Sequence, residues 1–335
     1  MLLYTIMNNY SNTNNYSLNL YKMRALLFPG QGSQTVGMGL EFYNNFSIVK
    51  KIFNEADEKL NYPLSKIILE GPEDQLMLTK NTQPAILTVS YSIFKVFQQE
   101  LGFELNSFKY FAGHSLGEYS ALVCSEALKF NDALFLLHER GKAMQEAVPV
   151  GEGSMIAVLG LKTEDIYDLL QSRKEKNGIC EIANDNAEGQ VIISGDKTSI
   201  ELLQKSLKEK KIKSIPLKVS APFHCSLMKP AAEKMKEKIN ITKFKSPLVD
   251  IINNVTAKPE KKQENIKRLL IDQIFSTVKW RESLIKMSQT GVIDYIEVGP
   301  GKVLTGMVKR TLKNVNCFSI NSITDIKNLN EKLKK

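Results

Sequence analysis

The chain has 335 residues, 43% of them hydrophobic and 24% charged, and a formal net charge of +9. That length and balance fit a soluble globular protein with one large domain, or a large domain and a smaller one, and exclude a fibrous or disordered chain. No apolar run is long enough to span a bilayer, and the excess lysine forms no basic run interleaved with aromatics, so solvated lysine faces are favoured over nucleic-acid binding.

Met1 to Tyr21 is rich in Asn, Tyr and Ser, and Lys22 carries the only charged side chain before Met23. The segment lacks the parts of a signal peptide and the arginines of a mitochondrial presequence, so residues 1–22 read as a disordered extension or as a start that belongs at Met23. Cys124, Cys180, Cys225 and Cys317 are scattered without metal-ligand spacing and read as reduced thiols in a cytosolic-type compartment.

Arg24 to Phe28 reads as a short buried strand that breaks at Pro29-Gly30-Gln31-Gly32-Ser33-Gln34. That turn lacks the Gly-Lys-Ser/Thr ending of a phosphate loop. Helical periodicity follows over Ile48 to Leu60 and Gln83 to Leu101, with Pro84 in a first turn. Next come the apolar run Tyr110-Phe111-Ala112, the motif Gly113-His114-Ser115-Leu116-Gly117, and an apolar-periodic segment through Leu128. A helix over Asn131 to Ala147, capped by Asn131, precedes a change of texture at Pro149 to Gly153. Strand Met155 to Leu159, helix Thr163 to Gln171 capped by Thr163, strand Val191 to Ser194, helix Lys197 to Lys210 and strand Ile212 to Val219 then suggest a small inserted α+β unit. The chain returns at Ser220 to His224, is mostly helical over Glu260 to Gln273, and makes a strand Tyr295 to Val298 that ends in Gly299-Pro300-Gly301.

Gly-x-Ser-x-Gly between a strand and a helix is the context of a nucleophile elbow: residues without Cβ let strand and helix pass closely while the serine hydroxyl stands exposed. Ser115 is then a candidate acyl-accepting nucleophile, with the Leu116 N–H facing a developing oxyanion; the alternative is an ordinary glycine-flanked turn. A serine nucleophile needs a base, and the chain has 3 histidines. His114 lies inside the elbow and reads as turn packing, and His138 lies on a helix. His224, on a proline-stiffened loop at the junction with the inserted unit, is the candidate base, against a structural role. No Asp or Glu is marked as a third member, which leaves a Ser–His dyad oriented by a backbone carbonyl as one solution. Arg140 follows an apolar helical stripe; its fork suits a carboxylate, and a structural ion pair or snorkelling to solvent fits equally.

Five ordered motifs carry a resemblance: Phe28 to Gln34, Gly113 to Tyr119, Arg140 to Gln145, Pro222-Phe223-His224-Cys225, and Glu297 to Lys302. Together, over Met23 to about Asn321, the chain resembles the malonyl-CoA:acyl-carrier-protein transacylase family of type II fatty-acid synthesis. The resemblance implies an α/β fold: an α/β-hydrolase-like large domain with a parallel sheet (23–149 and 220–335), and an inserted ferredoxin-like α+β domain (150–219). It implies Ser115 as nucleophile, His224 as base, the N–H groups of Gln31 and Leu116 as oxyanion hole, and Arg140 as ligand of the substrate's free carboxylate. It implies a backbone carbonyl near Gln273 as orienter of the histidine. Phe223 is expected to crowd an α-methyl branch, besides packing; Asn186 is expected either to line the pocket from the small domain or to sit in a plain turn. The implied reaction is ping-pong malonyl transfer from malonyl-CoA to the phosphopantetheine thiol of holo acyl carrier protein. No bound cofactor, no metal, no nucleic acid and no membrane are implied, and the expected enzyme is cytoplasmic and monomeric. A serine thioesterase or esterase, a non-catalytic scaffold and a polyketide-pathway acyltransferase are the alternatives. Lysine-rich stretches at Lys205 to Lys213 and Lys229 to Lys238 are either solvated helix faces or docking surfaces for the acidic carrier.

Overall fold

A computed structural model describes residues 23–171, 178–217 and 219–333. The expectation for residues 1–22 lies outside the described residues. Among the described residues ten strands form two sheets. The larger contains β1 (Arg24–Phe28), β2 (Tyr110–Gly113), β7 (Asp250–Ile252), β8 (Pro259–Glu260), β9 (Asp294–Val298) and β10 (Asn316–Ile320) in the order β10-β9-β1-β2-β7-β8. Its pairings are parallel except at the short edge strand β8.

The alternation along β1 shows why this sheet is buried on both sides. Leu26 and Phe28 enter one apolar cluster with Phe111, Ile251 and Ile296, whereas Ala25 and Leu27 enter another with Tyr110, Ala112 and Ile252. Side chains of period 2 with both faces apolar are what a parallel sheet covered by helices requires. Phe28 pairs with Gly113, so the Gln31 loop and the serine motif leave the sheet side by side at the carboxyl ends of adjacent strands. The chain runs outward from β1 in one direction through β2 and β7 and in the other through β9, and such a reversal is where open α/β sheets hold ligands.

The motif folds as an elbow. Helix Gly117–Cys124 starts at its last residue, and Ser115 sits at φ 52°, a left-handed conformation that a side chain adopts only at a cost. A Cβ on Gly113 would collide with the backbone of Gly117, and one on Gly117 with the carbonyl oxygen of Phe28. Phe28 cannot move without breaking the sheet, nor Gly117 without unwinding the start of the helix. Gly117→Ala is therefore expected to destabilise the protein by about 3 kcal/mol or more, read as a lower urea midpoint; an unchanged midpoint would show that the elbow is looser than this.

The smaller sheet contains β3 (Gly153–Leu159), β4 (Cys180–Ala187), β5 (Gln190–Asp196) and β6 (Lys213–Pro216) in the order β4-β5-β3-β6, all antiparallel. Helices Thr163–Gln171 and Lys197–Glu209 complete a βαββαβ unit of ferredoxin-like topology. The fold is thus α/β, with the expected inserted unit. Its third cluster packs Ile156, Val158 and Val191 against Ile200 and Leu203. Asp196 caps the second helix, accepting from the Ser199 N–H at 2.8 Å.

Several local expectations need correction. β4 was not anticipated: Asn184-Asp185-Asn186 is strand and not turn, irregular in its pairing with β5 and joined on its far side to Val278. Thr163 does not cap by its hydroxyl, which donates to Asp185 Oδ1 at 3.0 Å. Helix Phe130–Glu146 begins one residue before Asn131, with Lys129 as its uncapped N-cap. The long helix Thr79–Leu101 begins a turn earlier than expected and holds Pro84 in its interior. Proline lacks the N–H that would bond the Lys80 carbonyl, and that carbonyl is taken by His138 Nδ1 at 3.1 Å.

Candidate active site

Ser115 Oγ lies 2.8 Å from His224 Nε2, and His224 Nδ1 lies 2.8 Å from the carbonyl oxygen of Gln273. A carbonyl only accepts, so Nδ1 carries the proton and Nε2 presents a lone pair to the serine hydroxyl. Both residues are buried, and His224 also has positive φ, 58°. Burial first, then the nearby Arg140 charge, pulls the His224 pKa down to about 3, so the imidazole is neutral.

Arg140, 1% exposed, comes from the helix that crosses Thr79–Leu101. Its Nη1 donates to Gln83 Oε1 at 2.8 Å, and its Nη2 donates to Gln273 Oε1 at 2.9 Å and to Ser115 Oγ at 3.1 Å. Among the described residues its buried Nε has no acceptor, and no carboxylate pairs with the guanidinium directly. This is neither a structural ion pair nor a snorkelling arginine. It is a buried cation with donor capacity to spare beside the serine.

A cavity of about 290 Å³ between the two sheets is lined by Gln31, Ser115, Leu116, Arg140, Asn186 and His224. Among the described residues the backbone N–H groups of Gln31 and Leu116 have no acceptor, which leaves both available at the cavity wall. Phe223 lies on the wall, and Met155 and Ile192 of the small sheet face it. Asn186 lines the cavity from the small sheet and also meets the elbow: its Oδ1 is 2.8 Å from His114 Nε2. His114 is accordingly turned away from Ser115, half-buried edge-to-face against Trp280, its pKa lowered by desolvation there. The small sheet is fastened beside the site by Arg281, whose Nε lies 3.0 Å from both carboxylate oxygens of Asp185, and by the Asp185 N–H on the Val278 carbonyl at 3.0 Å.

The structure therefore brings all eight expected residues to one place. Sequence reasoning missed a polar layer beneath them, made of Gln83, Glu118, Asn253 and Asn254. Asn254 Oδ1 accepts the Ser115 N–H at 2.7 Å, and its Nδ2 donates to the Gly113 carbonyl at 2.8 Å, holding the elbow from behind. Only Glu118 carried a signal, as an acidic residue in the first turn of the elbow helix.

A hydroxyl on a strained strand–helix elbow, beside a neutral imidazole and a buried guanidinium, has the chemistry that acyl transfer through serine requires. Residues 25–331 match the family described as the acyl transferase domain. The chain is 44% identical over 297 residues to the malonyl CoA-acyl carrier protein transacylase of Bacillus subtilis, covering 88% of this chain and 92% of that one. Among solved structures, the acyl-carrier-protein-S-malonyltransferase of Bartonella henselae superposes with a TM-score of 0.89 at 41% identity, covering 93% of this chain and 99% of that one. A type II PKS acyl-carrier protein in complex with its malonyl-transacylase gives 0.88 at 38% identity, covering 92% and 99%. The chain belongs to the malonyl CoA-acyl carrier protein transacylase family and is an acyltransferase enzyme. Among the described residues no helix is long and apolar enough to cross a membrane.

Proposed function

We propose that the protein transfers a malonyl group from malonyl-CoA to the phosphopantetheine thiol of holo acyl carrier protein through a malonyl-serine intermediate. The observation that carries this reading is the 3.1 Å approach of Arg140 Nη2 to the same Ser115 Oγ that His224 Nε2 meets at 2.8 Å. A cation at the nucleophile places a substrate carboxylate within reach of the serine.

In the first step His224 Nε2 takes the Ser115 proton as Oγ attacks the thioester carbonyl. The N–H groups of Gln31 and Leu116 hold the oxyanion. Its collapse breaks the C–S bond, and the CoA sulfur leaves with the proton from His224. In the second step the carrier's thiol gives its proton to His224 and attacks the malonyl-serine, and Ser115 recovers its proton as it leaves. Gln273 orients His224 through its carbonyl in place of an acid, and Arg140 holds the malonyl carboxylate. Phe223 crowds a branched acyl group, while Asn186 braces the elbow through His114. No bound cofactor enters these steps. The same reading divides the chain into a large catalytic domain (23–149 with 220–335) and a small domain (150–219), acting as a cytoplasmic monomer in fatty-acid synthesis. A polyketide carrier is the second reading, favoured by the solved relative bound to one.

The test is intact-protein mass spectrometry after brief incubation with malonyl-CoA, then after addition of holo carrier protein. The expected result is one malonyl adduct, stable alone and discharged by the carrier. An adduct lost to water at the same rate without carrier would make the protein a thioesterase. Comparing discharge by fatty-acid and polyketide carriers decides the pathway.

A further inference from the structure

Glu118 is 1% exposed and does not line the cavity. Its Oε1 accepts from Asn253 Nδ2 at 2.6 Å, and its Oε2 accepts from the Asn254 N–H at 3.1 Å and from Gln273 Nε2 at 2.7 Å. Every partner is a donor, an environment made for a carboxylate rather than a carboxylic acid. The Asn253 amide cannot turn over to suit a protonated form, because its Oδ1 accepts the N–H groups of Val255 and Thr256 at 2.8 and 3.2 Å.

Gln273 stands between this carboxylate and Arg140. A guanidinium has no acceptor and a carboxylate has no donor, so the amide between them has one self-consistent orientation: Oε1 towards Arg140, Nε2 towards Glu118. Two further acceptors confirm it, the Ser115 carbonyl at 3.1 Å and Asn254 Oδ1 at 3.3 Å. A carboxylate touching Arg140 directly would occupy the guanidinium and close it to a ligand. One amide away, it supplies counter-charge and alignment while Nε stays unpartnered.

We propose that Glu118 is the positioning residue for acyl selectivity, holding Arg140 charged and aimed at the substrate carboxylate through the side chain of Gln273. This rests on the acyl-transfer reading of the site. His224 depends on Gln273 only through the backbone carbonyl, and Ser115, whose carbonyl takes Gln273 Nε2, keeps its N–H on an Asn254 side chain that is anchored on the Gly113 carbonyl, so the chemistry at the serine is less exposed to Glu118 than the carboxylate clamp is. Burial pushes the Glu118 pKa up to about 7 against the pull of its three hydrogen bonds and of Arg140. Among the described residues, the titratable groups acting on it are Arg140, from the crossing helix, and Tyr119, next to it in the chain; the Asn253 turn and the Gln273 helix present only amides. The carboxylate form is the aligned one, so selectivity rises with pH through the Glu118 titration.

The experiment measures single-turnover loading of Ser115 from malonyl-CoA and from acetyl-CoA, for the wild-type full chain and for Glu118→Gln, between pH 6 and 9. Glutamine has one oxygen where two sets of donors need one each, so a donor faces a donor whichever way its amide turns, and the counter-charge to Arg140 is gone. The expected result is a malonyl-to-acetyl ratio at least about tenfold lower in the variant and independent of pH, with acetyl loading changed by less than about threefold. In the wild type the ratio climbs with pH around neutrality. An equal loss of both activities would show a merely structural carboxylate and overturn the proposal, as would an unchanged or raised ratio. If Glu118→Gln does not fold, the wild-type ratio decides alone: a rise supports the coupling and a flat ratio overturns it. A wild type that forms no malonyl-serine would overturn the acyl-transfer reading itself, a result distinct from a wild type that loads malonate with a flat ratio.

Discussion

Ser115→Ala is expected to abolish the malonyl adduct and to lower transfer by at least about 10⁴-fold, with the fold intact. Among the described residues the hydroxyl is the only group in the cavity with both a proton acceptor, His224 Nε2 at 2.8 Å, and a cation, Arg140 Nη2 at 3.1 Å, within hydrogen-bond reach. The scaffold around it does not depend on Oγ. Asn254 holds the Ser115 N–H, Gln273 Nε2 holds its carbonyl, and the two glycines fix the elbow. Arg140 keeps Gln83 and Gln273, and His224 keeps the Gln273 carbonyl. Intact mass after incubation with malonyl-CoA reads the first effect and the thermal midpoint reads the second. A malonyl adduct that persists in the alanine variant would remove Ser115 as nucleophile.

Arg140→Ala should separate two substrates that differ by one carboxylate. Hydrogen bonds to a charged group are worth about 1.5–3 kcal/mol each, so losing a two-pronged grip on malonate lowers kcat/KM by about 10²–10⁴-fold. Acetyl-CoA never uses that grip. In the native site it must leave a buried guanidinium facing an apolar methyl, a penalty that alanine removes, so its use is expected to hold steady or rise. Burial already pushes the Arg140 pKa below its usual value, with Tyr119 and Glu118 holding it up, and Nε waits without a partner. The pair of kcat/KM values for the two donors is the check; an unchanged preference would mean that the carboxylate is held elsewhere.

The legible parts of this molecule were those whose cause is local. The elbow announced itself because only glycine tolerates the approach of Gly117 to Phe28. His224 emerged because few histidines compete for the role and a proline-stiffened junction displays it. The resemblance supplied Gln273, whose carbonyl does meet the imidazole. β4 stayed hidden because its Asn-Asp-Asn run has turn composition; what makes it a strand is distant, the Arg281 fork on Asp185 and the pairing with Val278. The Thr163 and Asn131 caps failed for related reasons, one hydroxyl being drawn to Asp185 and one helix starting a residue early. The polar layer was invisible but for Glu118, whose place in the first turn of the elbow helix gave no partner. Glu118 meets Asn253 and Gln273 across 135 and 155 residues of chain, and no pattern along a sequence encodes such a meeting.

The carbonyl that orients His224 has a consequence for which acceptor can complete the reaction. A carboxylate in that place would share the charge of an imidazolium, whereas a carbonyl carries no charge to share, and His224 is a weak base with a pKa of about 3. A weak base deprotonates an acid far more readily when that acid is itself strong. A thiol, with a pKa of about 8.5, is some seven units more acidic than bulk water at about 15.7. With Ser115 and His224 in the proposed roles, a thiol entering the cavity gives up its proton far more readily than a stray water molecule; the Ser115 hydroxyl, as weak an acid as water, has Arg140 Nη2 at 3.1 Å besides His224 to favour its oxyanion. The absent acid would then tune the enzyme to hand its acyl group to sulfur, and would protect the ester on Ser115 during the wait for the carrier.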